Sequence, residues 1–156
     1  MQYYLDFMSP LGPMTAVQED GALVLLDFGL HQPAGAQRKE TDLLKETKKQ
    51  ITEYFGGSRR LFSLPLKPMG SDFQLKVWQA LQTIPYGETR SYRDIALQVG
   101  SPKGMRAVGG ANHRNPISIV IPCHRVIGAD GSLTGYGGGL DKKEALLKLE
   151  QENSQA

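Results

Sequence analysis

The stretch Ser91-Tyr92-Arg93-Asp94-Ile95-Ala96-Leu97-Gln98-Val99-Gly100-Ser101-Pro102-Lys103-Gly104-Met105-Arg106-Ala107-Val108-Gly109-Gly110-Ala111-Asn112-His113 decides the architecture. Ser91 followed three residues later by Asp94 has the form of a capping box, in which hydroxyl and carboxylate satisfy the first free N–H groups of a helix. Tyr92, Ile95, Ala96 and Val99 then recur on one face, and Gly100 stands where a helix turns into the left-handed region. Ser101 reads as the next N-cap, with Pro102 at the first helical position, where its missing N–H is harmless. The second helix is expected to run to about His113. It stops before Asn115-Pro116, because proline steers the preceding residue out of the helical region. Two short helices joined at Gly100-Ser101 make a winged-helix-like helix-turn-helix.

Outward from this pair the pattern changes once. Ser71 with Gln74 opens another helix, with Phe73, Val77, Leu81 and Ile84 on one face and Pro85-Tyr86-Gly87 at its end. Ahead of it, Lys67–Gly70 is a Pro/Gly-flanked boundary. Before that boundary the chain reads as strands at Gln2–Met8, Met14–Gln18 and Ala22–Phe28, the last two joined by the hairpin signal Glu19-Asp20-Gly21. His31–Gln37 reads as a loop. Thr41–Phe55 reads as a helix with Leu44, Thr47, Ile51 and Phe55 inward, ended by Gly56-Gly57. Leu61–Leu66 is a further strand candidate, weakened by Pro65 and Pro68. On the C-terminal side, Ile117–Ile121 is an apolar run suited to burial. Gly135-Tyr136-Gly137-Gly138-Gly139 reads as a mobile loop. Asp141 with Glu144 caps a last helix carrying Leu146, Leu147 and Leu149, before six frayed polar residues. The fold class is therefore α+β: residues 1–68 form a small β-sheet with one helix, and residues 69–156 form a mostly helical domain.

Composition narrows the function. The chain has 156 residues, 40% of them hydrophobic, enough for a real core and against wholesale disorder. Its single cysteine allows no internal disulfide. No stretch approaches the roughly 18 consecutive apolar residues of a membrane span. The N-terminus lacks the basic and apolar regions of a signal peptide. A reduced, cytoplasmic, monomeric protein is expected. The net charge of +2 hides a local excess. Pro85–Gly128 holds six basic residues, Arg90, Arg93, Lys103, Arg106, Arg114 and Arg125, against two acidic ones, Glu88 and Asp94, a net of +4. That block suits a polyanion-facing surface, and it also suits an ordinary solvated face.

Cys123 sits between an apolar run and a basic residue. A thiol becomes a nucleophile where a cation, a helix N-terminus or a nearby base favours the thiolate, and His124 and Arg125 are the local candidates. The same setting fits a small buried hydrophobe, so both readings stand. In an extended segment, successive side chains point to opposite sides. His124 would then reach the sulfur only through a bend or a bridging water. One Cys and three scattered His, His31, His113 and His124, show no metal-ligand spacing, and no metal site is expected. The run Gly137–Gly139 lacks the Lys-Ser/Thr of a phosphate loop. In the second helix of the pair, Ala107, Gly109, Gly110 and Ala111 leave part of the surface bare. Each glycine costs about 1 kcal/mol relative to alanine in a helix. Close approach of an outside surface such as a DNA groove would offset this, and so would tight helix–helix packing.

Ile121-Pro122-Cys123-His124-Arg125-Val126 resembles the active-site motif of the O6-alkylguanine-DNA alkyltransferases, also called methylated-DNA–protein-cysteine methyltransferases. The resemblance extends in order through Gly87, Ser91-Tyr92, Arg106-Ala107-Val108-Gly109-Gly110-Ala111, Asn115-Pro116, Gly135-Tyr136, Lys143-Glu144 and Leu149-Glu150. It covers about Ser71 to Glu150 closely, with Ser9-Pro10-Leu11-Gly12 matching more loosely. It implies direct-reversal repair of DNA. An alkyl group on O6 of guanine, or on O4 of thymine, passes once to the Cys123 thiolate, with no cofactor and no metal. His124 and Glu150 would favour that thiolate through a water. Asn115 would tie the recognition helix to the active-site segment. Tyr92 would help turn the nucleotide out, and Arg106 would fill the gap left in the stack. The partner implied is double-stranded DNA carrying alkylated guanine, bound in the minor groove by the helix bearing Arg106, Ala107, Gly109, Gly110 and Ala111. Arg125, Val126, Tyr136 and Gly137 complete the expected DNA- and substrate-binding set. Gly137 stands where some members carry Ser, and Ser118 where some carry Pro; both positions bear on tolerance for bulky O6 substituents. Two other classes fit parts of the pattern: a helix-turn-helix regulator whose cysteine is inert or redox-sensing, and a cysteine hydrolase.

Overall fold

Two tight hairpins open the chain. In the computed structural model, which describes residues 1–134, 136 and 139–154, β1 (Gln2–Ser9) pairs antiparallel with β2 (Gly12–Glu19), and β2 with β3 (Ala22–Phe28). The β2–β3 link is the two-residue loop Asp20-Gly21, with φ of 50° and 76°. Positive φ at both central residues matches the right-handed twist of the strands, and Asp-Gly accepts it readily. Leu5, Phe7, Met14, Ala16, Leu23 and Leu26 are buried from the sheet. Helix α1 (Asp42–Phe55), capped by the Thr41 hydroxyl, contributes Leu44, Thr47, Ile51 and Tyr54. Tyr54 is fully buried where Phe55 was expected, because it falls on the 44–47–51 stripe at helical spacing.

Two expectations for this half are corrected. The loop before α1 contains β4 (Gln37–Arg38), which pairs parallel to β1 and completes the sheet order β3-β2-β1-β4. Two residues are too few to carry a periodic signal. Leu61–Leu66 forms no strand; only Leu66 bridges to Leu23, with Leu23 N–H donating to Pro65 O and Lys67 N–H to Leu23 O. Pro65 and Pro68 lack the donors a longer ladder needs.

The chain divides into two compact units, Met1–Met69 and Gly70–Ala156. In the second, α2 (Asp72–Leu81) and α3 (Tyr92–Gln98) each start with the expected capping box, Ser71/Gln74 and Ser91/Asp94. Val77, Trp78, Leu81, Ile84, Ile95, Ala96 and Val108 form the core. Helix α4 (Met105–His113) begins later than expected and has no side-chain cap. Ser101 N–H bonds to Ala96 O and closes α3 with Gly100 at φ 77°, and a turn through Pro102-Lys103 follows in place of a first helical turn, with Gly104 N–H on Ser101 O. Two-residue strands β5 (Arg90–Ser91) and β6 (Val126–Ile127) pair in parallel and bring the start of α3 beside the segment after Cys123. Helix α5 (Leu140–Ser154) starts with Gly139 O accepting Lys143 N–H, so Asp141 lies in its first turn and is not its cap. Gln151–Ser154 continue this helix where a frayed tail was expected.

Candidate active site

Asn115, two residues beyond the end of α4, holds the backbone that leads to Cys123. Its Nδ2 donates to Ile121 O at 2.7 Å and Ile117 O at 3.3 Å, and its Oδ1 accepts Ile117 N–H at 3.0 Å. Between those anchors Val120 N–H bonds to Ser118 O across Ile119, and Cys123 N–H bonds to Ile121 O across Pro122, two consecutive γ-turns. Cys123–Arg125 then forms one 3₁₀ turn. This corrects the extended geometry expected at Cys123: three residues per turn replace strict alternation of sides.

Cys123, His124 and Arg125 are all buried. His124 Nε2 lies 2.6 Å from Glu150 Oε2, at the last turns of α5. Arg125 grips the same carboxylate twice, at 2.8 and 3.0 Å, and donates to Ile84 O at 2.7 Å. Gly87 N–H donates to Glu150 Oε1 at 3.2 Å. Burial alone would raise the Glu150 pKa, but hydrogen bonds and charge from His124 and Arg125 outweigh it and hold the carboxyl well below its usual range. Burial pushes the His124 pKa down, against the pull of Glu150, and the Arg125 and Lys143 cations push the same way. A neutral imidazole facing an ionised carboxylate must carry its proton on Nε2. Its Nδ1 is then a bare acceptor, buried and without a hydrogen-bond partner among the described residues.

The family resemblance places Arg125 among the DNA- and substrate-binding residues. Its guanidinium is instead turned inward onto Glu150 and Ile84 O, with its side chain only 7% exposed. The positive block therefore presents five of its six cations outward or part-exposed, and Arg106 is exposed on α4 beside exposed Ala107 and Gly110. Ala111 faces in, its carbonyl taking Trp78 Nε1–H at 2.8 Å. Among the described residues a Cβ at Gly110 would meet nothing within 4 Å, and one at Gly109 would only touch Tyr92 at 4.0 Å. Packing among the described residues does not require these glycines.

Tyr92 at the start of α3 donates its hydroxyl to Thr134 O at 2.9 Å. Lys143, missed in the sequence as a site residue, is fully buried and donates to the same carbonyl at 2.8 Å and to Val126 O at 2.5 Å. Burial lowers its pKa to about 8, and negative charge at Cys123 acts in the opposite direction. The signal was spacing: Lys143, Leu146 and Glu150 share one face of α5, the buried one. Asn112, buried on α4 beside Val108 and Ala111, was missed for the same reason. Tyr136 is buried. Gly137 lies outside the described residues, as do Gly135 and Gly138 of the expected mobile loop.

Two family models match the chain: the ribonuclease-like domain of 6-O-methylguanine DNA methyltransferase over residues 2–68, and its DNA binding domain over residues 72–152. A methylated-DNA–protein-cysteine methyltransferase of Methanosarcina barkeri is 49% identical, over 97% of this chain and 98% of its own. The constitutive one of Bacillus subtilis is 47% identical, over 94% and 93%. The Mycobacterium tuberculosis protein OGT, crystallised in complex with DNA, superposes with a TM-score of 0.92 at 45% identity, covering 97% of this chain and 94% of that one. With each half matched by a domain of one family, and relatives near half identity along almost the whole length, the chain belongs to the 6-O-methylguanine DNA methyltransferase family.

Proposed function

We propose that this chain repairs DNA by direct reversal, moving the methyl group from O6 of guanine, or from O4 of thymine, to Cys123 in a single turnover. The observation that carries the reading is the buried His124, whose Nε2 lies 2.6 Å from Glu150 Oε2 and whose Nδ1 has no hydrogen-bond partner among the described residues, in the same turn as Cys123. The thiol proton passes to Nδ1 through a bridging water, and the Glu150 carboxylate stabilises the imidazolium that forms. The sulfur then attacks the methyl carbon in line. The S–C bond forms, the C–O6 bond breaks, and its electron pair stays on the base, which takes up a proton. The thioether is stable, so each molecule acts once. The step needs neither cofactor nor metal. The buried Lys143 ammonium further favours negative charge at Cys123.

Residues 69–156 serve as the DNA-binding and alkyl-acceptor domain, and residues 1–68 as a separate N-terminal α/β domain. Atoms inside a duplex are out of reach, so the nucleotide is flipped out. Helix α4 enters the minor groove, where Ala107, Gly109 and Gly110 allow close approach and Arg106 fills the gap in the stack. Asn115 acts through the turn it clamps, and Tyr92, Tyr136 and Val126 through the nucleotide. The protein works as a cytoplasmic monomer on alkylated double-stranded DNA.

Incubation with a duplex carrying O6-methylguanine, followed by intact mass, tests this. One methyl mass per molecule, located on Cys123 and absent in Cys123→Ala, is the expected outcome. Turnover beyond one equivalent points to a hydrolase and sinks the reading. Tight duplex binding with no mass gain points to a regulator.

A further inference from the structure

Asn112 is a polar residue on the buried face of α4, and the reaction just described gives it nothing to do. Its side chain is 2% exposed. Its Nδ2 donates to the backbone carbonyl of Cys123 at 3.3 Å. Its Oδ1 is buried with no hydrogen-bond partner among the described residues. The orientation of the amide follows from the contact: turned over, it would set oxygen against oxygen. A buried oxygen without a partner is destabilising, and an apolar side chain of the same size would avoid that penalty. Filling the space does not by itself call for an asparagine here.

The Cys123 carbonyl does. It accepts Val126 N–H from the end of the 3₁₀ turn and Asn112 Nδ2 from α4. A carbonyl has two lone pairs, so both are engaged and the Cys123–His124 peptide is held in one orientation. The thiol leaves that peptide on one side and the imidazole on the other, so a rotation of the peptide moves both together. We propose that Asn112 is a positioning residue for alkyl transfer: from the helix bearing Arg106, it fixes the peptide that aims the Cys123 sulfur and the His124 ring. This rests on Cys123 being the alkyl acceptor. Asn115 holds the chain before the nucleophile, and Asn112 holds the nucleophile's own peptide.

The test compares wild-type protein with Asn112→Leu and with Asn112→Met, a flexible side chain that adapts to the cavity if Leu does not fit. Single-turnover transfer from an O6-methylguanine duplex is measured against duplex concentration, with thermal denaturation alongside. The expected result is an unchanged or higher Tm and an unchanged half-saturating duplex concentration, with the limiting rate constant lower by about ten-fold, as loosened alignment predicts. A limiting rate equal to wild type overturns the proposal. So does a fall in rate that only tracks a fall in Tm, or failure of both variants to fold, since either makes Asn112 purely structural. If the wild-type protein itself takes no methyl group, the functional reading has failed and this proposal falls with it; a wild type that takes the methyl group beside variants of equal rate overturns this proposal alone.

Discussion

Ile119 carries a β-branched side chain at φ 73° and is 1% exposed. Such a residue in the left-handed region costs about 1–3 kcal/mol and persists only when its surroundings over-determine it. Here the three bonds to the Asn115 amide hold the turn, so the strain lies on the backbone that delivers Cys123. No pattern in Ile117–Ile121 announces this; the run reads simply as apolar. Glu150 is the opposite case, legible from the family motif but not in the number of its partners. Glu150→Gln leaves Arg125 buried opposite a neutral amide, and breaking a buried pair in this way destabilises by about 3–5 kcal/mol. The same change removes the charge that supports an imidazolium. Urea denaturation should show the loss, and the pH dependence of Cys123 alkylation by iodoacetamide should shift upward. An unmoved thiol titration would separate Glu150 from the chemistry.

Helix α4 sets stability against contact. Each of its glycines weakens the helix by about 1 kcal/mol relative to alanine, and a Cβ at Gly110 meets open space. Gly110→Ala should therefore raise stability by about 1 kcal/mol while weakening duplex binding, because the added methyl group faces the groove. Denaturant midpoints and duplex titration check the two halves separately; a variant that binds duplex as well as wild type would leave the glycine unexplained. Among the elements, capping boxes were the most legible feature: Ser71/Gln74 and Ser91/Asp94 are local chemistry between residues three apart. Helix α4 starts later than the Ser101-Pro102 signal predicts because residues 101–104 close a turn of their own before it. On helix α5, Lys143 looks like a solvent residue until its partners appear on Val126 and Thr134.

For the whole molecule, the depressed pKa of Glu150 links folding to pH. A carboxyl held below its unfolded value of 4.5 adds stability that is fully present above that pH. The contribution is lost as pH falls through 4.5 toward the folded value, where both states bind the proton. Denaturation at pH 7 and at pH 3 should show the gap between wild type and Glu150→Gln closing in acid. A gap of constant size would mean that the carboxylate charge is not what stabilises the fold.

The amino-acid sequence by itself determined the local features: which segments cap, turn and alternate, where the chain changes from sheet to helix, and which cysteine could react. Each of these depends on residues within a turn or two of one another. Only the tertiary structure decided where the charges went. Arg125 faces inward because Glu150 and Ile84 O are brought to it from sequence separations of 25 and 41 residues, and Lys143 is buried because two carbonyls meet it. An isolated Lys, Arg or Glu is strongly hydrated and reads as surface. It enters a core only when the fold supplies partners that replace that hydration, and such partners are not encoded in its neighbours along the chain.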